Sequence, residues 1–90
     1  MLYMVIERFK NKNAEAVYRR FREHGRMAPL GLTYVDSWVE TNFDRCFQVM
    51  DCQNPKLLDQ WAANWQDLVD FEFVPVRRSQ EAAAIMAQEL

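Results

Sequence analysis

Glycine and proline are scarce in this chain, two and three in 90 residues, which leaves little room for long irregular segments. There is a single histidine, so any imidazole acid–base or ligand role falls on His24. The two cysteines, Cys46 and Cys52, fall in one expected strand with their Cα atoms roughly 20 Å apart. A disulfide spans only about 4.4–6.8 Å, so both are expected as reduced thiols. One histidine and two distant cysteines do not supply the four ligands of a zinc site. Glycine-rich phosphate loops, nucleophile elbows and paired-cysteine motifs are all missing, so neither a metal nor a cofactor is expected. No sign of charge dominates: the net charge is −2 and the isoelectric point near 5.3. Broad electrostatic attraction for nucleic acid or acidic lipid is therefore excluded, and neither is expected as a partner. Long hydrophobic runs are missing as well. The opening MLYMVIERF is broken by Glu7 and Arg8, too short for a secretory core or a membrane span, and a cytoplasmic location is the expectation.

What is present is apolar and aromatic. Half of the residues are hydrophobic and 13% aromatic, well above what a disordered chain shows. Ninety residues make one small domain, burying about 60–65% of its unfolded surface. Residues 2–10 are apolar on both parities, as in a central strand covered on both sides. A helix is expected over 13–25, capped by Asn13 and ended by Gly25, with Ala14, Val17, Phe21 and His24 along one stripe. Arg19, Arg20, Arg22 and Arg26 form a local basic patch read as a solvated face. Two strands, 32–40 and 44–52, make a hairpin. Asn54-Pro55 starts a second helix over 55–67, whose apolar side carries Leu57, Leu58, Trp61, Ala62, Trp65 and Leu68. A strand over 69–77 follows, with Pro75 suited to a sheet edge. Ser79 opens an alanine-rich helix over 79–89. The order β-α-β-β-α-β plus a terminal helix, with right-handed crossovers, implies an α+β, ferredoxin-like antiparallel sheet with both main helices on one face.

The hairpin carries the functional expectation. Pairing Trp38 with Cys46 sets Asp36 opposite Gln48 and Tyr34 opposite Met50, six side chains on one face. Val35, Val39, Phe47 and Val49 then point to the helices as core. The mixed face, extended by Tyr3, Val5 and Glu7, is left uncovered and suggests a lined cavity or an interface. Tyr34, Trp38, Cys46 and Gln48 are the candidate contacts for a flat organic ligand. Asp36 and Glu7 are candidate general bases, since desolvation in a closed cavity raises a carboxyl pKa. A thiol such as Cys46 needs a nearby cation to become a nucleophile and is read here as unreactive.

The segments SWV at 37–39, RCFQVM at 45–50, WAANW at 61–65 and FEFVPV at 71–76, in this order, resemble a family of bacterial proteins of this length described only as a domain of unknown function. That family is similar to the dimeric α/β-barrel superfamily. The resemblance implies a ferredoxin-like protomer, a homodimer, and a cavity between sheet and helices or between subunits. It implies no reaction; the small monooxygenases, isomerases and haem-binding enzymes of the wider superfamily are fold analogies. Three functions fit the sequence. The first is a homodimer holding a small apolar or aromatic metabolite on the sheet face away from the helices. The second is an oligomerisation or interaction module without a ligand. The third is a cofactor-free monooxygenase or isomerase.

Overall fold

The computed structural model describes residues 1–90. Four strands, β1 (Leu2–Phe9), β2 (Thr33–Val39), β3 (Arg45–Asp51) and β4 (Val69–Val76), form one antiparallel sheet in the order β2-β3-β1-β4. Three helices accompany them: α1 (Ala14–His24), α2 (Lys56–Ala62) and α3 (Ser79–Ala87). The arrangement is α+β and compatible with a ferredoxin-like fold. β1, apolar on both parities, lies in the middle, bonded to β3 on one side and β4 on the other. Pro75 falls in the edge strand β4, opposite Tyr3, where the missing amide proton costs least.

Local chemistry sets the helix ends. Asn13 Oδ1 accepts from the Ala16 amide at 3.1 Å and caps α1. Gly25 closes α1 at φ 70°, ψ −160°, its N–H donating to the Phe21 carbonyl. α2 begins beside Asn54, whose Oδ1 accepts from the Lys56 amide. It stops at Ala62 rather than running to 67. Beyond it the amides of Asn64, Trp65 and Leu68 reach back only three residues, a tighter winding. Arg20 and Lys10 hold the freed carbonyls of Asn64 and Gln66. Ser79 is the first residue of α3, and no side chain caps that helix.

The helices cover the face opposite to the one expected. Val5, Glu7 and Phe9 alternate into the core. The register sets Tyr3 beside Met50, Val5 beside Gln48 and Glu7 beside Cys46, so Cys46, Gln48 and Met50 are buried with them. Phe47 and Val49, expected as core, share the other face with Leu2, Met4 and Ile6. Hydrophobicity alone does not choose between two parities that are both apolar.

A second difference is a register shift between Tyr34 and Asp36. Tyr34 pairs with Met50, but Val35 is extra, and Asp36 then pairs with Val49 and Trp38 with Phe47. One inserted residue reverses the parity of the rest of the strand. Ser37 and Val39 turn toward the helices; Asp36 and Trp38 turn away. The sheet face away from α1 and α2 thus carries Leu2, Met4, Ile6, Trp38, Phe47, Val49 and Val74, with Trp38 56% exposed.

No residue of α3 is buried, and Ile85, Met86 and Leu90 are exposed. The radius of gyration is 14.8 Å and the longest dimension 48 Å, whereas a compact chain of this length has a radius of about 12 Å.

Candidate functional site

Between the sheet and the two main helices lies a cavity of about 260 Å³. Its floor is the covered sheet face: Glu7 and Phe9 from β1, Cys46 and Gln48 from β3, Ser37 and Val39 from β2. Its roof is Val17, Tyr18 and Phe21 of α1 with Trp61 and Trp65. Arg26, just past the end of α1, completes the lining. Tyr18 and Phe21 of α1, both partly exposed to solvent, overhang a floor in which polar Glu7, Gln48 and Ser37 alternate with Phe9, Val39 and Cys46.

Three polar side chains run in a line across it. Gln48 Nε2 donates to Glu7 Oε2. Gln48 Oε1 accepts from Arg26 Nε at 3.0 Å. A neutral amide thus stands between the carboxyl and the guanidinium, which form no direct ion pair. Glu7 is only 6% exposed. Burial raises its pKa to about 7, against the lowering pull of the Gln48 hydrogen bond and the Arg26 charge. Near neutral pH it is poised between acid and carboxylate. Cys46 lies beside it across the β1–β3 pair, and burial, reinforced by the charge of Glu7, pushes its thiol up to about 12. It is a packed thiol, not a nucleophile. Burial also raises the Tyr18 hydroxyl, with the Cys46 and Glu7 charges adding to it.

Arg26 is held from several sides. Its guanidinium stacks on the Tyr34 ring at 3.7 Å and faces Phe21 at 5.2 Å. Its carbonyl accepts from both Trp61 Nε1 and Trp65 Nε1 at 3.0 Å, and Asn64 Nδ2 donates to the neighbouring Met27 carbonyl. Gly25 and Met27, on either side, have φ of 70° and 60°. A non-glycine residue in that region is uncommon and persists where its surroundings over-determine it.

Of the residues the sequence singled out, Glu7, Cys46 and Gln48 come together here, under the helices. Tyr34 stands next to the site as the platform for Arg26, its hydroxyl 2.7 Å from Ser37 Oγ. Trp38 and Asp36 do not join them. The Val35 bulge carries both to the uncovered face, where Asp36 is exposed and accepts from the Ser37 amide. His24, expected on the apolar stripe of α1, is exposed and 4.0 Å from Glu23. Arg26, expected in a solvated patch, instead lines the cavity; the signal that separates it is its position beyond Gly25, outside the helix that carries Arg19, Arg20 and Arg22. Trp61 and Trp65, read as core, are buried and also line the cavity. No three His, Cys, Asp or Glu side chains form a metal-holding group, both cysteines are free, and no helix is long and apolar enough to cross a membrane.

These features define a small α+β protein whose helices roof a polar line on the floor of an aromatic cavity. The chain belongs to the family described as Domain of unknown function (DUF3303), whose model matches residues 1–90. No curated protein and no solved structure matches it.

Proposed function

We propose that this protein binds a small aromatic or otherwise apolar metabolite in the cavity between sheet and helices, as a homodimer of the dimeric α/β-barrel type. The site lies on the helix-covered face, not on the opposite face where the sequence placed it. The observation that carries this reading is the line Glu7–Gln48–Arg26 inside an otherwise apolar cavity. A buried carboxyl whose pKa is raised to about 7 costs the fold stability at neutral pH, whereas convergent polar groups on an aromatic wall are what a ligand site needs. Dimerisation draws support from two apolar surfaces that the chain leaves uncovered, the open sheet face and α3. A nine-residue helix with no buried residue is marginal in water, and a second copy offers both surfaces a partner.

Glu7 favours one second reading, a cofactor-free monooxygenase or isomerase. A buried carboxyl with a pKa of about 7 suits a general base for a carbon acid held against it. Asp36, exposed on the other face, has no part in that reading.

Native mass spectrometry of protein purified from its own host tests both halves of the proposal. The expected spectrum shows twice the chain mass with a bound small molecule. A bare monomer at micromolar concentration, together with unchanged Trp61 and Trp65 fluorescence on titration with single-ring aromatics, would overturn it.

A further inference from the structure

We infer that the ligand of this cavity is a planar, single-ring organic anion whose carboxylate or equivalent charged oxygens sit on the Nη groups of Arg26; this deepens the ligand-binding reading above and rests on it. Arg26 is the only cation lining the cavity. It donates only through Nε, to Gln48, and neither Nη makes a hydrogen bond or an ion pair within the chain. Five of the other arginines are paired with carboxylates, at Asp44, Glu15, Asp67, Glu40 and Glu81. Stacking on Tyr34 and facing Phe21 fix the guanidinium plane but leave its edge free. A fixed guanidinium with a free edge offers two parallel donors, the pattern that matches a carboxylate.

The nearest acid is held out of that role. Gln48 occupies the position between Glu7 and Arg26, and its amide satisfies one side of each. Glu7 Oε1 has no partner in the chain, so a second polar group on the ligand finds an acceptor, or with Glu7 protonated a donor, there. Size limits the remainder. A volume of about 260 Å³ equals the liquid share of about nine waters, room for a ring and its substituents and small for a nucleotide. Phe9, Phe21, Trp61 and Trp65 supply the surface for that ring.

Charge sets a pH signature. The groups facing Glu7 are Arg26 beyond α1, Tyr18 from α1, and Cys46 and Gln48 from β3; α2 and β4 present only apolar or aromatic groups to it. Burial moves Tyr18 and Cys46 upward, further above the neutral range. Between pH 6 and pH 8, then, Glu7 alone changes charge beside the bound anion, and affinity falls as it ionises.

Calorimetric titration of the wild-type protein with benzoate and with its neutral counterpart benzamide tests the inference. Benzoate is expected to bind at pH 6 about tenfold or more tightly than benzamide, the worth of a charge-assisted hydrogen bond or two. Its affinity should fall between pH 6 and pH 8 in the wild type and stay level in Glu7→Gln. Arg26→Met should erase the preference for benzoate while leaving benzamide binding within a few-fold. Equal binding of the two compounds by the wild type overturns the anion inference and leaves the cavity reading standing. Binding of neither overturns both. The wild-type comparison needs no variant, so a failure of Arg26→Met to fold does not blunt it.

Discussion

Glu7 is the residue on which most of the chemistry turns. Its pKa rises from 4.5 to about 7 in the folded state, so the folded protein holds a proton that the unfolded chain releases between those values. Stability from this group is therefore fully present below pH 4.5 and is lost as pH rises toward 7. The loss is of the order of 3 kcal/mol for a shift this large. Glu7→Gln keeps an acceptor for Gln48 and removes the ionisation. Urea unfolding at pH 5 and pH 8 is expected to show a falling wild-type stability and a flatter variant, with the variant ahead at pH 8. Glu40 and Asp67, whose carboxyls are held low by Arg45 and Arg20, titrate below this window and do not mask it. Cys46 gives a second expectation at this scale. With its thiol raised to about 12 and both cysteines buried, native protein should react with a thiol reagent at pH 8 far more slowly than denatured protein. Rapid native labelling of Cys46 would contradict the packing described here. Alternation sets Glu7, Cys46 and Gln48 on one face of the sheet, and they share one; their adjacency comes from the β1–β3 register, which the hairpin pattern does not give. The sequence did not mark Arg26, because a charged residue in a loop carries no periodicity that says where its side chain goes.

At the level of elements, two short irregularities decide what the site contains. The first is the end of α1, where Gly25 and Met27 adopt positive φ and turn Arg26 back toward the sheet. A methyl group on Gly25 would meet nothing within 4 Å, so Gly25→Ala tests the backbone alone. It is expected to cost about 1–3 kcal/mol in chemical denaturation, the strain of a left-handed residue with a side chain. An unchanged midpoint would mean that the loop adapts. The second is the bulge at Val35. Hairpin strands without it would bring Trp38 and Asp36 to the cavity side, as their alternation suggested. With it, Ser37 and Val39 take those places. A bulge leaves little trace in composition: Thr33 to Val39 reads as an ordinary strand. The helix caps and breaks, by contrast, were legible at Asn13, Gly25 and Asn54, because there a local side chain or a missing Cβ acts within a few residues.

For the molecule as a whole, the uncovered sheet face is where a second copy is proposed to pack. Trp38, Phe47, Val49 and Met4 lie on that side, and the cavity lies on the other. Dimerisation and ligand binding should therefore separate. Trp38→Glu is expected to shift sedimentation from dimer to monomer while benzoate affinity changes only a few-fold. A variant that stays dimeric would place the interface elsewhere, and loss of both properties together would mean that the cavity needs the second copy. The elongated shape, set by a terminal helix with no buried residue, makes the helix a second place where deletion should weaken association.

The sequence by itself determined the order of elements, the antiparallel pairing, the central place of β1 and the edge place of Pro75. Each follows from alternation, capping and turn chemistry acting over a few residues. Only the tertiary structure decided which sheet face the helices cover, since both parities of the central strand β1 are largely apolar and packing selects between them. It alone also placed Arg26, whose position depends on donors from Trp61 and Trp65, distant in sequence, meeting one carbonyl in space.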